Sequence, residues 1–153
     1  MMHRIVVLTI ALVTGVAIGT FAQSSRLRHI NPPGLSTPTG YTHVVAPLKG
    51  RLVFIAGQVS ADRSGAVVGT GDFKAQTKQV FENLKVAVEA AGGTMADVAK
   101  ITIYSTDVSQ ISAIREIRQQ YFTANLPAST FVQVVSLARP EYLLEIEAIL
   151  VVD

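Results

Sequence analysis

The chain contains no cysteine and no tryptophan. Without cysteine there is no disulfide framework, no thiolate zinc site and no cysteine nucleophile, and the chain suits any redox compartment. Charge is also sparse. Asp, Glu, Lys and Arg make up 16% of the residues, and the formal net charge is only +2. No run of Lys or Arg occurs, so the electrostatic footprint of a nucleic-acid binder is missing. The histidines are His3, His29 and His43, none spaced with carboxylates as a metal site requires, and no metal is expected. The glycine-rich stretch 65–71 (GAVVGTG) lacks the Lys-Ser/Thr of a phosphate loop. No serine sits in a nucleophile-elbow sequence.

What the chain does have is a core. With 153 residues and 49% hydrophobic composition, it is long and apolar enough for one ordinary domain. At the N-terminus, His3 and Arg4 precede an uncharged apolar run, Ile5–Phe21, and Thr20-Phe21-Ala22 resembles a cleavage site. This is the layout of a secretory signal peptide over residues 1–22, with export to a periplasm or the exterior. The alternative is a retained membrane anchor through residues 5–22, near the lower length limit for a spanning helix. Residues 23–40, rich in Ser, Pro, Gly and Asn, read as an irregular arm, and residues 41–153 as the folded domain.

Within that domain Tyr41–Ala46 is a short strand. Leu52–Gln58 is a continuously apolar strand, the kind covered on both faces. Asp72 is placed to cap a helix whose stripe runs Phe73, Thr77, Val80, Leu84, Ala87 and Ala91, ended by Gly92-Gly93. Lys100–Thr106 alternates as a strand. Asp107 or Ser109 caps a second helix with Ile111, Ile114, Ile117 and Tyr121 inward, and Asn125-Leu126-Pro127 closes it. Thr130–Val135 and Leu143–Val152 complete a mixed sheet of about six strands. Two helices cannot cover both faces of such a sheet, so they lie on one. A symmetric oligomer is expected to cover the other.

The last strand carries the chemistry. Leu144, Ile146, Ala148, Leu150 and Val152 share one apolar face. Glu145 and Glu147 sit among Leu143, Ile149 and Val151 on the other, about 7 Å apart. Such a face suits a cleft wall partly covered by another chain. Further modest signals are Ala56-Gly57-Gln58, where backbone can approach a ligand, Pro127-Ala128-Ser129-Thr130, and Tyr41. Each also has an ordinary reading: a packing glycine, a helix-ending proline, a half-buried tyrosine, a hydrogen-bonded glutamate.

Taken in order, Tyr41, Ala56-Gly57-Gln58, Gln79-Val80-Phe81-Glu82-Asn83-Leu84, Val88-Glu89-Ala90-Ala91-Gly92, Asp97-Val98 with Lys100, Pro127-Ala128-Ser129 and Glu145-Ile146-Glu147-Ala148-Ile149 resemble the RidA (YjgF-type) family. The resemblance spans about Gly40 to Val152. It implies an α/β (α+β) chorismate-mutase-like fold and a homotrimeric barrel with small-molecule clefts between subunits. It also implies cofactor-independent hydrolysis of reactive enamines and imines, such as 2-aminoacrylate, to a carbonyl compound and ammonia. On this pattern Glu147 positions the attacking water, and Tyr41, Gly57, Ser129, Thr130 and Phe131 line the substrate site. One position departs: Ser129 stands where the best-known branch has an arginine that grips the substrate carboxylate. Acidic imines should then bind poorly unless another residue, such as Arg139, replaces the bidentate grip. A trimeric metabolite-binding protein without catalysis is the alternative. A ribonuclease role attached to relatives ranks third, given the near-neutral charge.

Overall fold

A computed structural model describes residues 26–153; the expected signal segment and the retained-anchor alternative lie outside the described residues. Among the described residues no helix is long and apolar enough to cross a membrane. The elements run β1 (Leu27–Ile30), β2 (Val44–Pro47), β3 (Arg51–Val59), α1 (Phe73–Ala90), β4 (Val98–Ser105), α2 (Ile111–Arg118), β5 (Ala128–Gln133) and β6 (Leu144–Val152). Short 3-10 turns at Met95–Asp97 and Val108–Gln110 lead into β4 and α2. Instead of one sheet of six strands there are two. The main sheet has the order β3-β6-β4-β5, and β1-β2 form a separate antiparallel ribbon. Only β4 and β5 are parallel, joined through α2, as a βαβ crossover requires.

Local chemistry sets the boundaries. Asp72 begins α1 by accepting a hydrogen bond from the Ala75 N–H at 3.0 Å, and Gly92, at φ +82°, ends it in the left-handed region. The buried stripe of α1 is Thr77, Val80, Phe81, Leu84 and Val88. It is shifted toward Phe81 and Val88 from the expected one, and Ala87 is only half-buried. Asp107 accepts from the Ser109 N–H at 2.9 Å and starts the turn into α2. From α2, Ile114 and Ile117 pack inward, and Tyr121 beyond it stacks on Phe81 with ring centroids 5.0 Å apart.

Both helices lie on one face of the main sheet. They bury Ile101, Ile103, Leu144, Ile146, Ala148, Leu150 and Val152 in a single core. The alternation in β6 is therefore as its sequence predicts. The opposite face is covered only in part. The stretch read as an irregular arm supplies β1, whose Leu27 packs on Ala99 and Val151 at one corner. Leu27 and Val151 stand more than a hundred positions apart in the chain, a contact that no local pattern foretells. The remainder is open: Leu52 is 52% and Phe54 73% exposed. Leu52 and Phe54, two apart on β3, thus present neighbouring apolar side chains on the open face.

Candidate active site

Register assigns each candidate to a face. In β6, Glu147 stands beside Thr102 of β4, which in turn pairs with Thr130 of β5. These side chains share the open face with Lys100 and Tyr104. The Tyr104 hydroxyl donates to Glu147 Oε1 at 3.1 Å, and this bond to a carboxylate, above all, raises the tyrosine pKa. Lys100 donates to the Thr130 hydroxyl. Burial lowers the Lys100 pKa, against the opposing pull of Glu147. Thr130 and Glu147 thus belong to one polar row.

Gly57 belongs with the other carboxylate. The β3–β6 pairing slips between Ile55 and Gln58, a bulge that leaves Gly57 outside the ladder. Glu145 lies over it: a methyl group built on Gly57 would stand 1.8 Å from Glu145 Oε1 and 2.6 Å from its Cδ. No other side chain allows the carboxylate that position. Glu145 is therefore a candidate of at least equal standing with Glu147. Its signal in the sequence is present but ambiguous, because the two glutamates share a face.

Tyr41, Ser129 and Phe131 lie elsewhere. Ser129 pairs with Ile101 and Phe131 with Ile103, and those isoleucines face the helices. With Tyr41, Arg115 and Arg118, Ser129 and Phe131 line a cavity of about 160 Å³ between α2 and β5. Tyr41 is held there by its neighbour Thr42, whose N–H donates to the Pro127 carbonyl at 3.1 Å and whose hydroxyl donates to the Leu126 carbonyl at 2.6 Å. Within one chain the candidate residues therefore form two half-sites on opposite faces of the sheet. One holds Glu145, Glu147, Gly57 and Thr130; the other holds Tyr41, Ser129 and Phe131. The second half-site adjoins β5, an edge strand paired only with β4.

Within one chain Arg139 lies apart from the candidate residues. Its Nη1 donates to the Gly65 carbonyl at 3.2 Å, and its guanidinium lies 5.7 Å from the Tyr142 ring centroid. A larger cavity, about 560 Å³, opens between Arg26 and the Tyr121–Asn125 loop. It holds Arg26, already ion-paired to Asp97 at 2.8 Å and to Asp153, and none of the candidate residues.

Comparison with known proteins gives a consistent result. The family model described as Endoribonuclease L-PSP matches residues 34–152. A RutC family protein of Pyrococcus horikoshii is 41% identical over 100 residues, covering 65% of this chain and 79% of the relative. Among solved structures, YyfB of the conserved Rid protein family from Yersinia pestis is 39% identical with a TM-score of 0.78, covering 83% of this chain and 99% of that one. RidA from an Antarctic Psychrobacter is 35% identical with a TM-score of 0.63, covering 76% of this chain and 92% of that one.

Proposed function

The chain belongs to the RidA (YjgF-type) family, and from that premise we propose that it hydrolyses small enamines and imines to carbonyl compounds and ammonia. The observation that carries this reading is the carboxylate of Glu145 lying over the bulged backbone at Gly57. A bulge takes backbone groups out of the ladder; here the Ala56 carbonyl accepts from the Gln58 side-chain amide at 2.9 Å, and the Gly57 backbone lies beside it outside the ladder. Beside a carboxylate they make a place to hold a polarised nitrogen and a water molecule together.

The reaction follows from these groups. The enamine takes a proton from solvent at carbon and becomes an iminium, the protonated form of its imine tautomer. Water attacks the iminium carbon, the C=N π pair moves to nitrogen, and Glu145 accepts the water proton as general base. The resulting carbinolamine takes that proton back from Glu145 on nitrogen, the C–N bond breaks to release ammonia, and the hydroxyl gives its proton to solvent as the carbonyl forms. Glu147, held by Tyr104, is the second carboxylate of the row. The step uses water alone and calls for no cofactor. The exposed Leu52 and Phe54 support a homotrimer in which sheets meet. In it the glutamate half-site of one copy faces the Tyr41–Ser129–Phe131 half-site of the next. The family description names RNA cleavage, but a net charge of +2 without a basic run offers little to track a phosphate backbone.

The test is release of ammonia and keto acid from imines generated in situ by an amino-acid oxidase. The wild type should accelerate it, and Glu145→Gln or Glu147→Gln should abolish most of the gain. Binding of substrate analogues with no acceleration by the wild type would make the protein a binder instead.

A further inference from the structure

Helix α2 turns Ile114 and Ile117 toward the core, Ile111 lines the cavity beside them, and the last residue of the helix breaks the apolar pattern with a charge. Arg118 is only 6% exposed. Arg115, one turn earlier, is half-buried. Both guanidinium groups close over Gly40. A methyl there would stand 2.3 Å from Nη2 of Arg118 and 3.8 Å from Nε of Arg115. The φ of +86° at Gly40 lets the backbone pass beneath them.

Two cations have been brought side by side without an anion. Among the described residues neither arginine forms an ion pair. Nε of Arg118 is buried with no hydrogen-bond partner. Burial, and then the neighbouring Arg115, lower the Arg118 pKa. An unpaired buried charge is among the most costly features a fold can hold, and a like charge beside it adds to the cost. A neutral occupant of the adjoining cavity would leave that cost standing, whereas an anion would remove it.

We infer that Arg115 and Arg118 bind the oxyanion group of a small ligand, a carboxylate or a phosphate, in the cavity they share with Tyr41, Ser129 and Phe131. Ser129 points into the same space from β5, so its short side chain leaves room for a guanidinium reaching in from α2. A cavity of about 160 Å³ admits a group of a few heavy atoms, with Phe131 and Ile103 as its apolar wall. Combined with the hydrolysis proposed above, on which this step rests, the substrate class is an imine or enamine bearing an acidic group.

Titration calorimetry on the intact protein tests this, with pyruvate, inorganic phosphate and the neutral isostere pyruvamide as probes. Pyruvate should bind and weaken as salt is added. Pyruvamide should not bind. Arg118→Gln and Arg115→Gln should each weaken pyruvate about tenfold or more. Competition by phosphate confirms the shared oxyanion chemistry, and the tighter of the two anions identifies the source. Should Arg118→Gln fail to fold by circular dichroism, the half-buried Arg115→Gln decides. Equal binding of pyruvate and pyruvamide, unchanged affinity in the folded variants, or no anion binding up to about 10 mM would overturn the inference. No turnover enters these readouts. A wild type that binds pyruvate through the arginines yet hydrolyses no imine sinks only the preceding proposal. One that hydrolyses neutral and acidic imines equally, with both variants unaffected, sinks only this one.

Discussion

Replacing Gly57 by alanine should remove the proposed base without touching it. The added methyl would lie 1.8, 2.6 and 2.9 Å from Oε1, Cδ and Cγ of Glu145. All are closer than non-bonded carbon and oxygen atoms tolerate, so the carboxylate must swing away. The fold should tolerate the change. Gly57 does not lie in the left-handed region, the displaced atoms end a flexible side chain, and open space lies on that face. Reduced backbone freedom in the unfolded chain offsets part of the crowding by about 0.4–1 kcal/mol, and crowding itself costs about 1–3 kcal/mol. The net loss should thus stay under about 3 kcal/mol. A positioned general base contributes roughly 10²–10⁴ in rate, and Gly57→Ala should forfeit most of that. The assay is keto-acid release from oxidase-generated imines, run beside thermal melts of Gly57→Ala, Glu145→Gln and Glu147→Gln. Wild-type turnover in a folded Gly57→Ala and in Glu145→Gln, with Glu147→Gln inactive, would refute the reasoning and move the water to Glu147.

Two further expectations concern stability. Ile146 is fully buried between β6 and the helices, so Ile146→Ala should cost about 2–5 kcal/mol, read from denaturant midpoints. Asp107 has its pKa lowered, first by the Ser109 hydroxyl and then by the Ser109 N–H. A depressed carboxylate pKa stabilises the fold fully above the unfolded value of 3.8. That support is lost as pH falls through the lower folded value. Melting temperatures scanned downward from pH 5 should therefore decline less steeply in Asp107→Asn than in the wild type, and identical acid slopes would contradict the assignment.

Much of this architecture is legible from local pattern. The period-two alternation of β6 places Leu144, Ile146 and Leu150 in the core and both glutamates on the other face. Asp72 and Gly92 mark the ends of α1 because capping and left-handed φ are local properties. What escapes is what depends on pairing between distant strands. β1 is a four-residue strand held by β2 and by Val151 across the chain. The face of Ser129 and Phe131 follows from their register against Ile101 and Ile103, which a strand's own sequence does not contain. Hence the candidate residues read as one site fall into two clusters on opposite faces of the sheet. Gly57 meets Glu145 only because a bulge re-aims β3. The arginine pair did leave a trace: Arg118 falls seven residues after Ile111 and four after Ile114, a charge on an apolar stripe.

The central claim is that each complete site draws its carboxylates from one copy and its Tyr41–Arg118 pocket from the next. Subunit mixing tests it most directly. A Glu145→Gln/Glu147→Gln parent and a Tyr41→Ala/Arg118→Gln parent, each folded and inactive alone, are unfolded together and refolded at equal ratio. With sites shared between copies, about one quarter of the seams regain both intact halves, and imine hydrolysis returns to a comparable fraction of wild type. If mixed oligomers form and stay as inactive as the parents, the site lies within one chain and the account is wrong.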